Sequence, residues 1–274
     1  TENRRRDRGQ PEYELLDTNI FQNDQYFDVV VEYAKGDVED ILIKITATNR
    51  GPEAAPLRLI PTVWFRNTWS WGNAEGRPAM RAVKSGFELN HPSYGQRWLY
   101  CEGAPEMLFT DNETNHRLLF GAQNRTTCVK DGINDYLVNG KRDAVYAEPT
   151  GTKGAAHYRV MIGAGQAVTI GLRLTNIDFS GCNAFDGFDR LLTLRQAEAD
   201  EFYATVIPQD LSPEAQNVMR QGFAGMLWSK QFYHYVVKQW LDGDPGNPVP
   251  PRARKKGRNR DWGRPPPRRG GGKP

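Results

Sequence analysis

Between residues 26 and 174 the chain consists of short segments rich in β-branched and aromatic residues, and this pattern most restricts its fold. Ile41, Ile43 and Ile45 alternate with a second set that includes Lys44 and Thr46, as in a half-buried strand. The segments predicted as strands are residues 26–33, 41–48, 57–65, 97–101, 106–110, 117–122, 157–162 and 167–174. Because no helical pattern separates them, we expect antiparallel sheets, packed as a β-sandwich. Residues 163–165, Gly-Ala-Gly, are predicted to form a hairpin connection.

The spacing of apolar residues changes after residue 185. Apolar side chains from Phe188 to Tyr203 recur three and four residues apart, which predicts an amphipathic helix. A second helix is predicted to begin at Ser212, a favourable N-cap, with Pro213 in the first helical position. Its apolar pattern continues as far as Trp240.

The composition is that of an ordinary globular protein, with 38% hydrophobic and 11% aromatic residues. No apolar stretch approaches the roughly 18 residues that would span a bilayer, so we expect no membrane partner. The three cysteines, Cys101, Cys128 and Cys182, are odd in number and widely spaced. They argue against a disulfide framework and favour a reducing compartment, here predicted to be the cytoplasm.

The formal net charge of +3 is unevenly distributed. Residues 252–274 contain ten Lys and Arg and one Asp, a charge of +9, which leaves −6 for the preceding residues. An Arg-rich tail suggests a nucleic-acid binder as one alternative. Because the acidic body offers no matching basic face and no recognition motif, we expect no nucleic-acid partner.

Sequence motifs do not identify a catalytic centre. The chain has no phosphate loop and no nucleophile elbow, and its His and Cys residues lack metal-ligand spacing. We therefore expect no cofactor, no metal site and no catalytic residue in this chain. The acidic residues nominate no pair of the kind that glycoside hydrolysis requires.

Two aromatic clusters are candidates for substrate binding. Residues 64–72, WFRNTWSWG, place three Trp among polar side chains, and indole faces beside amide and guanidinium donors suit sugar rings. Residues 228–235 and Trp240 form the second cluster. The candidate substrate-binding residues are Arg66, Trp69, Trp71, Tyr233 and Trp240. The sequence leaves open that the Trp residues belong to a sandwich core, and that Trp64, Trp69 and Trp71 serve a non-catalytic carbohydrate-binding domain.

Five motifs resemble the large bacterial members of glycoside hydrolase family 63, relatives of the processing α-glucosidases and of mannosylglycerate hydrolase. They are YELLDT at residues 13–18, RNTWSWG at 66–72, EADEFY at 198–203, QGFAGMLWSKQFYHY at 221–235 and GRNRDW at 257–262. The resemblance extends from about residue 1 to residue 262, and its last two motifs are long enough to be specific.

The resemblance implies a mainly β protein in which an antiparallel β-sandwich is followed by a linker helix and the first helix of an (α/α)6 toroid. The implied boundaries are 1–184 for the sandwich, without its amino-terminal part, 185–211 for the linker and 212–262 for the start of the toroid. From their composition we expect residues 263–274, which lie outside the residues that the structure describes, to form an irregular Pro/Arg/Gly tail. In the family an Asp protonates the glycosidic oxygen and a Glu activates water, with inversion. Neither carboxylate has a counterpart here, so we expect a fragment of a hydrolase of α-linked glucosides, mannosides or small glycosides that is inactive alone.

Overall fold

The structure is a computed structural model that describes residues 2–72, 76–230 and 235–258. These residues form two compact units. The first unit contains residues 2–65, 77–112 and 126–196, and the second contains the described parts of residues 66–76, 113–125 and 197–258. Two loops that leave the strands therefore belong to the unit that contains the carboxy-terminal helices.

The first unit contains eleven strands among its described residues. In chain order they are β1 (Phe27–Asp37), β2 (Asp40–Asn49), β3 (Ala55–Leu59), β4 (Thr62–Trp64), β5 (Ala79–Val83), β6 (Gly86–His91), β7 (Gly95–Cys101), β8 (Glu106–Thr110), β9 (Thr150–Gly151), β10 (Lys153–Ile162) and β11 (Ala167–Thr175).

The strands form two sheets. A seven-stranded sheet has the order β1-β2-β11-β7-β6-β5-β9, and in a four-stranded sheet β10 pairs with β3, β4 and β8. Every pairing is antiparallel, which confirms the predicted sheet type.

The two sheets share one hydrophobic core. Phe87 of β6 and Phe109 of β8 meet with ring centroids 5.4 Å apart. Along β10, Gly154, Ala155 and Ala156 are small, and a Cβ on Gly154 would lie 2.5 Å from the Phe87 ring. The absence of side-chain bulk on β10 therefore allows the aromatic rings of the facing sheet to approach its backbone.

A buried ion pair lies on the face of the seven-stranded sheet that is opposite the core. Arg173 of β11 donates Nε to Asp40 Oδ1 at 2.8 Å and Nη2 to Asp40 Oδ2 at 2.7 Å. Its remaining nitrogen, Nη1, donates to the carbonyl of Ala184 at 2.7 Å, and its guanidinium lies 4.6 Å from the ring centroid of Phe179. Arg173 thus attaches the segment that follows β11 to the sheet.

The described residues contain five α-helices, namely α1 (His116–Phe120), α2 (Gly132–Asn139), α3 (Phe188–Val206), α4 (Pro213–Ser229) and α5 (Val237–Asp242). α3 coincides with the first predicted amphipathic helix. Ser212 caps α4 as expected, accepting a hydrogen bond from the amide of Ala215 at 3.2 Å. Within the described part of the chain, no helix has the length and apolar character needed to cross a membrane.

The predicted strand at residues 117–122 is wrong, because these residues lie largely in helix α1. Asn115 accepts a hydrogen bond from the amide of Leu118 at 3.0 Å, and Gly121 ends the helix in the left-handed conformation with φ +65°. Leu118 is exposed rather than directed into a sheet core. An Asn and a Gly that flank five residues form a helix cap at each end, and this local signal outweighs the apolar run between them.

Three other boundaries differ from expectation. Residues 163–165 do not close a hairpin, because β10 and β11 belong to different sheets. The predicted strand at 57–65 is divided into β3 and β4 at Pro61, which cannot donate to a ladder. The helix predicted to reach Trp240 ends at Ser229, and α5 begins separately at Val237. Lys230, at the end of α4, has left the helical conformation with ψ +82°.

We predict that Arg173→Ala lowers the free energy of unfolding by about 3–5 kcal/mol, because Asp40 would remain buried without its partner. Arg50→Ala is the matched control, since Arg50 and Asp28 form an ion pair that is exposed on both sides and is expected to contribute little to stability. Urea unfolding followed by circular dichroism measures both variants. Equal losses in the two variants would contradict a role of Arg173 in holding the sheet.

Candidate functional site

A short 3-10 turn, Trp69–Trp71, presents two of the candidate binding residues. The side chain of Asn67 accepts a hydrogen bond from the amide of Ser70 at 3.1 Å and thereby starts the turn. Gly72 ends it in the left-handed region at φ +77°, with its amide donating to the carbonyl of Trp69. Trp69 and Trp71 thus project from one turn that is fixed at both ends.

A buried carboxylate holds Trp69. The indole Nε1 donates to Glu113 Oε1 at 2.7 Å, and Glu113 is only 6% exposed. The sequence pattern does not single out Glu113. The signal that could identify it is its position in the polar run DNETN at residues 111–115, directly after a strand, since loop residues at strand ends often carry function.

The indole of Trp71 lies beside a cation. The guanidinium carbon of Arg66 is 5.5 Å from the ring centroid, within the range of a cation–π contact. The Nε1 atom of Trp71 is buried and has no hydrogen-bond partner among residues 2–72, 76–230 and 235–258. The predicted residues Arg66, Trp69 and Trp71 therefore share one cluster, which contains a cation, two indole rings and a buried carboxylate.

Two further side chains contact the segment after α5, and one of them, Arg125, also contacts this turn. Arg125 donates Nη1 to the carbonyl of Ser70 at 3.4 Å and Nη2 to the carbonyl of Gly246 at 2.8 Å. The Nε2 atom of His116, which is 8% exposed, lies 3.1 Å from Asn247 Oδ1. A Cβ on Gly246 would lie 2.6 Å from the Ser70 hydroxyl, so only glycine fits there without displacement. We call this set of segments, residues 66–72, 113–125 and 244–247, the loop cluster.

The other predicted residues lie elsewhere. Trp240 of α5 is in a second aromatic cluster, with the guanidinium carbon of Arg254 5.1 Å and the ring of Tyr235 6.4 Å from its own ring centroid. Tyr233 lies outside the described residues. Trp64 is on β4 in the first unit, opposite Lys153, and more than half of it is exposed.

The loop cluster contains no recognisable metal site. Across the described residues no group of three His, Cys, Asp or Glu side chains is close enough to hold a metal ion. Indole rings offer apolar faces, whereas the Arg66 guanidinium and the surrounding backbone offer hydrogen bonds. This combination suits a ligand with both C–H faces and hydroxyl groups.

A second polar cluster lies in the first unit. Glu106 accepts hydrogen bonds from the Tyr136 hydroxyl at 2.6 Å, His157 Nδ1 at 2.9 Å and Arg159 Nη2 at 2.7 Å. Burial raises the pKa of the Glu106 carboxyl, but the three hydrogen bonds together outweigh burial and leave the pKa below its ordinary value of 4.5. All three donors stabilise the ionised carboxylate, so this cluster is a structural support for β8 and β10.

Comparison with known proteins gives one relative and no family. No protein-family model matches the chain. The chain is similar to the uncharacterized protein YMR196W of Saccharomyces cerevisiae, with 32% identity over an alignment 297 positions long that includes 92% of this chain. The chain spans 27% of the length of that yeast protein.

We predict that Trp69→Phe destabilises the protein by about 1–3 kcal/mol, because Glu113 loses a hydrogen bond while it stays buried. Trp64→Phe, which alters an exposed indole, is the matched control and should change the free energy of unfolding by less than about 0.5 kcal/mol. A double-mutant cycle with Glu113→Gln measures the coupling of Trp69 and Glu113 directly. Additive effects within the error of urea unfolding would contradict the pairing.

We predict that Glu106→Gln changes the pH dependence of stability. A carboxyl whose pKa is lowered by folding stabilises the protein above its unfolded pKa, and this contribution is lost as the pH falls through the folded pKa. The stability difference between wild type and Glu106→Gln should thus be largest above about pH 5 and shrink below about pH 4. Glu53→Gln, at an exposed position, is the control. A difference that stays constant from pH 3 to pH 7 would refute this role of Glu106.

Proposed function

We propose that this chain is part of an inverting glycoside hydrolase that acts on α-linked glucosides, mannosides or small glycosides. It would supply the β-sandwich, the linker helix and the first helix of the (α/α)6 domain, but not the catalytic Asp and Glu. The order of elements supports this proposal, since two antiparallel sheets with a common core are followed by α3 and then by the capped helix α4. The partner of the whole enzyme would be a carbohydrate substrate.

The observation that carries the proposal is the composition of the second unit. The aromatic loop of residues 66–72 belongs to the same compact unit as residues 197–230 and 235–258, from which the toroid would begin. Arg125 and His116 attach that loop and its neighbour to Gly246 and Asn247. A loop that is part of the helical unit rather than of the sheet unit is well suited to contribute to a sugar-binding surface of the catalytic domain.

The exposed side of α4 also supports the proposal. Val218, Met226, Leu227 and Trp228 are each more than 60% exposed. A toroid buries such apolar side chains between neighbouring helices, so these residues would face later helices of the complete domain. The yeast relative is more than three times as long as the aligned part, which is compatible with a protein that contains a complete toroid.

The loop cluster also favours a second function, a carbohydrate-binding domain without catalysis. Trp69 and Trp71 would then bind sugar in the absence of any hydrolysis by the whole protein. In both cases we propose a cytoplasmic location and no contact with nucleic acid or membrane.

We predict that the chain binds α-linked disaccharides weakly and does not hydrolyse them. General acid and general base catalysis each contribute about 10²- to 10⁴-fold, and the chain would lack both groups. Titration of maltose and α-mannobiose, followed by tryptophan fluorescence and calorimetry, should give binding that Trp71→Ala weakens by about tenfold, or about 1.4 kcal/mol. Trp64→Ala, in the sheet unit, should leave the affinity unchanged.

Two results separate the alternatives. Turnover of aryl α-glucosides by this chain would refute the absence of a catalytic pair. If the longer natural protein that contains this chain binds the same sugars but hydrolyses none, the non-catalytic binding domain is the better description.

A further inference from the structure

A polar cleft lies on the outer face of the seven-stranded sheet, away from the shared core. Its volume is about 500 Å³, within the range of roughly 300–1,000 Å³ that is typical of small-molecule sites. Arg81 of β5, Glu88 of β6 and Trp98 of β7 are direct cross-strand neighbours and line its floor. Every residue that lines the cleft belongs to the first unit.

The opposite wall of the cleft is the segment of residues 178–185, and two hydrogen bonds hold it. The Tyr100 hydroxyl accepts from the amide of Phe179 at 2.7 Å, and Arg173 donates to the carbonyl of Ala184 at 2.7 Å. The residues between these two points, including Cys182, form the rim. Because both ends of the wall are fixed to the sheet, the cleft is preformed, which reduces the entropy cost of binding.

The lining combines an aromatic ring with charges of both signs. Trp98 is half-buried, and its side chain lies on the same side of the sheet as Tyr100. Arg81 and Glu88 form an ion pair with each other. Two cations, Arg81 and Lys84, face three carboxylates, those of Glu88, Glu102 and Asp178.

One carboxylate has a free oxygen at the rim. Asp178 Oδ1 accepts from the amide of Ser180 at 2.8 Å and is 3.4 Å from the Tyr100 hydroxyl. No hydrogen bond reaches Oδ2 from the described residues, so this atom can accept from a ligand. A charged acceptor binds a hydroxyl donor about twice as strongly as a neutral one.

We propose that this cleft is a carbohydrate site, occupied by a neutral mono- or disaccharide, and that it is separate in the sequence from the loop cluster. A strongly charged ligand would meet charges of its own sign in a lining of two cations and three anions. A sugar hydroxyl both donates and accepts, so it can pair with Asp178, Glu88 and Arg81 alike. The apolar face of a pyranose ring would pack on Trp98. The site would hold glycan on the sheet unit without any chemical step.

Cys182 provides a readout that is specific for this cleft. It is exposed at the rim, whereas Cys101 and Cys128 are buried, so a thiol reagent in the native protein should modify Cys182 first. Methyl α-maltoside and methyl α-mannoside are the probes, with sorbitol as the control for a non-specific effect. A bound sugar at ten times its dissociation constant should slow the modification about tenfold, by simple occupancy. Cys182→Ser should abolish the fast labelling phase.

Asp178→Asn tests the ligand contact, because Asn can still accept from Ser180 and the loop should keep its shape. We expect the sugar concentration that gives half-protection to rise about tenfold in this variant. Trp69→Ala, in the loop cluster, should leave protection of Cys182 unchanged, so failure here is distinguishable from failure of the proposed function. The proposal is overturned if neither glycoside slows labelling at about 100 mM, which is ten times a weak dissociation constant of about 10 mM. It is equally overturned if Trp69→Ala abolishes the protection and Asp178→Asn does not affect it.

Discussion

A guanidinium group that is buried on a sheet needs hydrogen-bond acceptors for its N–H groups. Each N–H group that loses water without gaining an acceptor destabilises the folded protein. Arg173 meets this requirement with the two carboxylate oxygens of Asp40 and the carbonyl of Ala184. The last of these acceptors comes from the chain after β11. The need to saturate one side chain therefore fixes the route of residues 178–185 over the sheet. That route forms one wall of the polar cleft and leads directly into α3.

The loop cluster is likewise held together by hydrogen bonds that satisfy polar side chains and backbone carbonyls. Glu113 is held by the Trp69 indole, and Arg125 satisfies carbonyls of both Ser70 and Gly246. These contacts fix the indole rings in position without a regular element of secondary structure. They explain how a loop in which Arg66, Asn67, Thr68 and Ser70 flank two Trp residues is held in one conformation.

Features that depend on residues close together in the sequence could be predicted, whereas features that depend on distant residues could not. Long β-branched segments such as β2 and the amphipathic helix α3 could be predicted, because periodicity alone determines which face is buried. Strands β5 and β6 were not predicted. They carry the same alternation, with Met80 and Phe87 buried and Arg81 and Glu88 outward, but over only five or six residues and with little β-branching. Asn115 and Gly121 are recognisable caps of α1 in the sequence. The apolar residues between them nevertheless resemble those of a strand, which led to the wrong prediction.

Other features have no local signal. That β10 and β11 belong to different sheets depends on partners that are far away in sequence. The aromatic motif at residues 66–72 could be recognised as a candidate site from its composition. Its partners Glu113 and Arg125 could not, since each is an ordinary polar residue until the fold brings it to the turn, and the same holds for His116, which contacts Asn247.

The second unit is assembled from segments that are distant in the chain, and this has a consequence for biosynthesis. His116 and Asn247 are separated by 131 residues. At a synthesis rate of roughly 10 residues per second, the loop at 113–125 leaves the ribosome on the order of ten seconds before its partner. The strands can pair and bury their core during this interval, whereas the contacts of Arg125 with Gly246 and of His116 with Asn247 can form only after it. Arg125 and His116 therefore gain these partners last, so the rate of translation past residue 125 sets when the loop cluster is completed.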